Sequence, residues 1–201
     1  NFDAAKTTAT RLLETLKGLP EPLAQISYRA RSAVIFANAA NPGRAAEILQ
    51  QTETFARETI DTRNMGVALR HVANALAETE QLAQALTILD DVTEGSNRTP
   101  VLITAATKQA LAGDAAAALA TARTIEEVRF RAVVLGQIAL TQAENNDLSA
   151  AEVTLELALG AIKKIKLPYA RSYAVSRVAL SMAGIGKLPA AKVRAPSIFR
   201  K

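Results

Sequence analysis

The sequence has no cysteine, no tryptophan and a single histidine, His71. Without cysteine there is no disulfide framework, no thiolate zinc site and no thiol nucleophile. One histidine leaves no histidine-rich metal site and no Cys–His pair. His71 follows Arg70 on a helical stretch and reads as a structural or solvent-facing residue. The chain has no GxxxxGK[ST] phosphate loop, no GxGxxG and no GxSxG. The acid pairs Asp90-Asp91 and Glu126-Glu127 lie beside loops and suit helix-end charge rather than acid–base work. No catalytic residue, metal ligand or cofactor is therefore expected. No apolar run approaches the roughly 18 residues of a membrane span, and no signal-peptide pattern opens the chain.

Aromatic residues are also scarce, at 4%, whereas hydrophobic residues make up 49% and alanine alone supplies 42 of the 201. A core of alanine and leucine needs backbones that approach closely, as packed helices do; sheets favour aromatic and β-branched residues. Alanine, leucine, glutamate, glutamine, arginine and lysine are also the strongest helix formers. The composition predicts an all-α protein. The alanine content suits a bacterial chain, and the absence of cysteine suits an exported, periplasmic one.

The net charge of +5 is uneven. Glu156 is the last acid, and ten basic residues follow it: Lys163, Lys164, Lys166, Arg171, Arg177, Lys187, Lys192, Arg194, Arg200 and Lys201. A solvated basic end that aids solubility accounts for them. The sharper reading is a patch for an acidic partner, a membrane surface or nucleic acid.

Internal similarity organises the chain. Ala46, Ala85, Ala118, Ala151 and Ala191 align as anchors, with Asn41, Glu80, Gly113, Asn146 and Gly186 five residues before them. Sixteen before stand Ala30, Leu69, Leu102, Leu135 and Val175; twelve before stand Val34, Ala73, Ala106, Ala139 and Ala179. Asn38, Ala77, Ala110, Ala143 and Ala183 stand eight before. Spacing by four along one face is that of an amphipathic helix. Each unit reads as a helix A, a tight turn at the glycine or asparagine, and a helix B. Pro189 falls in the first turn of the last helix B. The stretch DDVTEGSNRTP reads as a loop, with the following helix starting near Thr99-Pro100. Residues 2–17 match a helix B without its helix A, which predicts that the native protein continues upstream, with Gly, Asn or a similar residue before Asn1.

The pattern resembles the tetratricopeptide repeat, a helical hairpin of about 34 residues. The resemblance rests on Leu69, Leu102 and Leu135 near helix starts, on Ala73, Ala106 and Ala139 mid-helix, on the Gly113-Asp114 turn, and on Ala85, Ala118 and Ala151 in helix B. It covers nearly the whole chain, although the family's aromatic positions are largely missing; HEAT-like hairpins are the alternative. It implies one right-handed α-solenoid of about five hairpins, at roughly 22–62, 64–95, 98–125, 128–166 and 169–195, preceded by the orphan helix 2–17.

The same resemblance implies a concave groove lined by the A helices. Its ligand-facing positions become Arg31/Ile35, Arg70/Asn74, Ile103/Thr107, Gly136/Leu140 and Ser176/Leu180. Arg70 and Asn74 share a face and resemble a clamp for a peptide carboxylate, with Arg31 beside them. Tyr28, Asn38, Tyr173 and Arg177 complete the candidate groove residues. Arg98, Arg131 and Arg171 form another column, read as structural side chains that bond the carbonyls ending the previous unit, or else as a ligand-binding ladder. The leading functional expectation is a non-catalytic module for a protein or peptide, acidic or carrying a free carboxylate, or for a second copy of itself. Nucleic-acid binding through the basic third is an alternative, weakened by the few aromatics there. A third is the accessory domain of a larger enzyme.

Overall fold

The computed structural model describes residues 2–16 and 18–188. These residues form ten α-helices and no strand: α1 (Phe2–Leu16), α2 (Pro22–Asn38), α3 (Pro42–Thr59), α4 (Thr62–Glu78), α5 (Leu82–Ile88), α6 (Gly95–Leu111), α7 (Ala115–Arg123), α8 (Val128–Glu144), α9 (Leu148–Lys163) and α10 (Pro168–Lys187). A single 3-10 turn, Leu89–Asp91, follows α5. The chain divides within α6 into two compact units, Asn1–Ala105 and Ala106–Lys201. In the first, α1 packs on α2, α2 on α3 and α4, and α4 on α3 and α5. In the second, α7 packs on α8, and α8, α9 and α10 pack on one another.

Four connections are tight and chemically alike. Each places one residue at positive φ: Ala40 at 57°, Glu80 at 67°, Gly113 at 86° and Asn146 at 66°. The next backbone N–H reaches back to the carbonyl five residues earlier, Asn41 to Phe36, Gln81 to Leu76, Asp114 to Gln109 and Asp147 to Gln142, each at 2.9 Å. This is the Schellman closure of a helix end. The same residue then starts the next helix. Asn41, Asp114 and Asp147 accept from the backbone N–H of Arg44, Ala117 and Ala150 at 3.2, 2.9 and 3.0 Å. Gln81 makes no such cap, and its helix, α5, is only seven residues long.

Small residues sit deepest. Ala33, Ala73, Ala106 and Ala139 in the first helices, and Ala45, Ala85 and Ala118 in the second, are 0% exposed, with Ala151 at 1%. The anchor in the first hairpin is therefore Ala45; Ala46, expected there, is only half-buried. The reason is the turn: Ala40 takes the positive-φ place and Asn41 the cap, one position earlier than in the other three.

Between hairpins a second device recurs. A side chain six residues past the last apolar residue of one hairpin bonds that residue's carbonyl. Arg131 Nη1 donates to the Ile125 carbonyl at 3.1 Å, and Arg171 donates to Ile165 from Nε and Nη2 at 2.8 and 2.6 Å. Arg98 donates to Leu89 and, at 2.9 Å, to Val92. Gln25 does the same for Leu19 at 2.7 Å. Val92, Ile125 and Ile165 are buried, so these carbonyls have little access to water. The arginine column is structural, and Gln25 is a member that spacing on arginine alone had missed.

Two boundaries differ from expectation. α6 begins at Gly95 rather than near Thr99-Pro100, and Pro100 lies inside it. The bond Pro100 cannot make would go to the carbonyl of Ser96, an exposed residue, so the loss is small there. Gly186 is not a turn: α10 runs through it to Lys187. Gly184, in the same helix, is where a Cβ would come within 3.0 Å of Leu140, so glycine there serves close packing on α8. Pro189 and Ala191 lie outside the described residues.

If the arginine–carbonyl bonds carry the inter-hairpin joints, Arg131→Met and Arg171→Met each lose about 1–3 kcal/mol, the cost of orphaning a buried acceptor. Urea unfolding measures this. Unchanged midpoints in both variants would contradict the structural role.

Candidate functional site

α2 and α4 lie side by side, and their facing side chains leave a groove of about 480 Å³. Ala30, Val34 and Ile35 form its apolar floor, and Arg31, His71, Asn74 and Glu78 its polar walls. Helical periodicity produces this arrangement. Arg31 and Ile35 are four apart on α2; His71, Asn74 and Glu78 fall three and four apart on α4.

The electrostatics of the groove are specific. Arg31 is exposed, whereas Arg70 and His71 are half-buried. Arg70 Nη2 stands 3.5 Å from His71 Nε2. Burial, then the charges of Arg70 and Arg31, hold His71 below its ordinary pKa, so it is neutral at pH 7. Asn74 is committed at both ends of its amide: Nδ2 donates to Glu78 Oε1 at 2.6 Å and Oδ1 accepts from Thr104 Oγ1 at 2.9 Å. Thr104 thus fixes Asn74 from α6, and Asn74 in turn holds the Glu78 carboxylate.

The seven residues expected in the groove are distributed as follows. Arg31 and Asn74 line it, and Arg70 flanks it through His71. Tyr28 and Asn38, both on α2, are exposed and outside its lining. Tyr173 and Arg177 belong to α10 in the second unit. The Tyr173 ring meets Phe130 edge-on, centroids 6.1 Å apart, and Arg177 is exposed. His71 and Glu78 had not been placed in the groove. Glu78 had a sequence signal, its position four residues after Asn74; the signal for His71 appears once Ala45 replaces Ala46 as anchor, which brings Arg31 and His71 into one column.

A larger cavity, about 710 Å³, lies between α3 and α5. Its charges are spent on one another: Arg57 bonds Asp91 at 2.8 Å and Glu53 at 2.9 Å, and Glu47 bonds Arg44 at 2.6 Å. The bond from Asp91, foremost, raises the Arg57 pKa. Such exposed pairs leave little uncompensated charge for a ligand.

Among the described residues, no cluster of three or more histidine, aspartate or glutamate side chains is placed to hold a metal ion. No helix there is long and apolar enough to cross a membrane. The architecture is that of an all-α protein built from consecutive packed helices. No protein-family model, curated protein or solved structure matches the chain.

The histidine gives a direct probe of the groove. As the one histidine in the sequence, it yields a single ring titration by proton NMR, expected below the ordinary value of about 6.5. Folding lowers its proton affinity, so the unfolded chain binds the proton more readily. Stability from this residue is full above about pH 6.5 and falls as pH drops below it. A His71→Gln variant loses that part of the pH dependence. A titration at or above 6.5 would contradict the buried, cation-flanked setting.

Proposed function

We propose that the chain is a non-catalytic scaffold that binds a protein or peptide segment through the groove between α2 and α4. In this reading the hairpins α2–α3, α4–α5, α6–α7 and α8–α9 are tetratricopeptide-like units of a right-handed solenoid, and their first helices face the partner. The observation that carries the proposal is the groove itself: an apolar floor beside Arg31, His71 and one committed carboxylate, Glu78, with Arg70 flanking it against His71.

The rim favours an acidic segment or a chain-terminal carboxylate. Guanidinium groups bind carboxylates with charge-assisted, often paired hydrogen bonds. Neutral His71 adds a ring nitrogen, and the positive charge beside it comes from Arg70 and Arg31. Asn74 acts here as the residue that positions Glu78 rather than as a ligand contact. The clamp expected from Arg31, Arg70 and Asn74 thereby narrows to its two arginines.

A peptide array tests the reading. Each peptide is presented once with a free C-terminal carboxylate and once amidated. Binding is expected to favour the free carboxylate. An Arg31→Ala/Arg70→Ala double variant is expected to weaken it at least about tenfold, since charged hydrogen bonds contribute roughly 1.5–3 kcal/mol each. Equal binding by the double variant would remove the groove as the site.

A further inference from the structure

We infer that the end of the second unit formed by the α9–α10 connection is a docking surface for an anionic lipid bilayer. This surface is separate from the peptide groove. It begins with three exposed lysines, Lys163, Lys164 and Lys166, and continues directly into Leu167, Pro168 and Tyr169. Leu167 is 70% exposed and Tyr169 80%. A shallow cavity of about 440 Å³ lies between this connection and the start of α8, lined there by Glu127, Val128 and Arg129 and on the other side by Ile165 and Ala170. The acids nearby are Glu126 and Glu127, against the four cations Arg129, Lys163, Lys164 and Lys166.

The fold does not ask for these side chains. One hairpin earlier, the α7–α8 connection has the same build. Ile125 and Arg131 there correspond to Ile165 and Arg171, and both pairs make the carbonyl bond. The residues around them differ. Arg123, Thr124, Glu126, Glu127 and Arg129 stand where the later connection has Lys163, Lys164, Lys166, Leu167 and Tyr169. A polar surface with two acids and two bases is replaced by one with three lysines, a leucine and a tyrosine on the same frame. Lys163, in the last turn of α9, also answers that helix's dipole. Leu167 does the fold no such service. It occupies the N-cap of α10 and makes no side-chain cap bond, a position where serine or aspartate would hold the helix better.

A leucine and a tyrosine projecting from a lysine cluster match a bilayer interface. The apolar groups enter the boundary between headgroups and acyl chains, where a tyrosine ring is well placed. Lysine stems lie along the apolar surface while their ammonium groups meet anionic headgroups. A nucleic acid would need successive flat rings on which bases stack. Here the Tyr173 ring is engaged by Phe130, and Leu167-Pro168 forms a wedge rather than a platform.

The test is co-sedimentation of the full chain with unilamellar vesicles. One set is phosphatidylcholine alone, the other contains about 30% phosphatidylglycerol, each at about 0.05 and 0.3 M salt. Binding is expected to the anionic vesicles and to weaken as salt rises. Replacing Lys163, Lys164 and Lys166 with glutamate is expected to lower it at least about tenfold. A Leu167→Ser/Tyr169→Ser variant, whose exposed positions leave the fold intact by circular dichroism, is expected to lower it about tenfold. Absence of binding to anionic vesicles overturns the proposal. So does either variant binding like the parent chain. Lysine-dependent capture of a single-stranded oligonucleotide, with the vesicles left unbound, assigns the surface to nucleic acid instead.

Discussion

Alanine at the helix interfaces sets the distances that everything else in this protein must fit. Ala33 and Ala45, Ala73 and Ala85, and Ala139 and Ala151 are fully buried on helices that pack as pairs. A methyl group lets two backbones come close, and dispersion between dense surfaces then replaces the area a larger side chain would bury. Each alanine removes little apolar surface, so the hydrophobic return per residue is modest. A fold built this way depends more than usual on satisfying the polar ends of its helices.

Those ends are satisfied by two recurring devices. Within a hairpin, a positive-φ residue closes the first helix and the next residue opens the second. Between hairpins, Gln25, Arg98, Arg131 or Arg171 bonds a carbonyl just past a helix end. Where a cap is lost, at Gln81, the helix is short and a cavity opens beside it. Where α2 and α4 run side by side, the groove appears. The candidate site is thus a by-product of packing that places one helix face beside another, and its chemistry is set by the few polar residues on those faces.

Much of this was legible because both devices are periodic. The mid-helix and helix B alanines and the arginine column stand at fixed distances from one another. The misplaced anchor also left a trace. Val34 and Asn38 interrupt columns that are otherwise alanine in the next three units; counting from Ala45 instead restores Ala33 and Ala37. Pro100 misled because proline rules act on a single lost bond, and here that bond would have ended at an exposed residue. Gly186 misled because a glycine can serve a turn or go unused within a helix. The groove was partly legible: Arg31, Arg70 and Asn74 follow from spacing. The Glu78 bond to the Asn74 amide is an i,i+4 pair within α4, but the Thr104 bond could not be read, because it depends on the contact between α4 and α6. Tyr28, Asn38, Tyr173 and Arg177 follow from register alone, and register does not say which helices neighbour each other.

The most direct measurement is the unfolding stability of Ala151→Leu against Val153→Leu in urea. Ala151 is buried in α9 where it packs on α8, whereas Val153 is 58% exposed on the same helix. If close approach through alanine holds the hairpins together, Ala151→Leu loses about 1–3 kcal/mol through overpacking, and Val153→Leu stays within about 0.5 kcal/mol of the parent chain. An Ala151→Leu chain as stable as the parent would show that the helices are not closed against that methyl group, and would contradict the account.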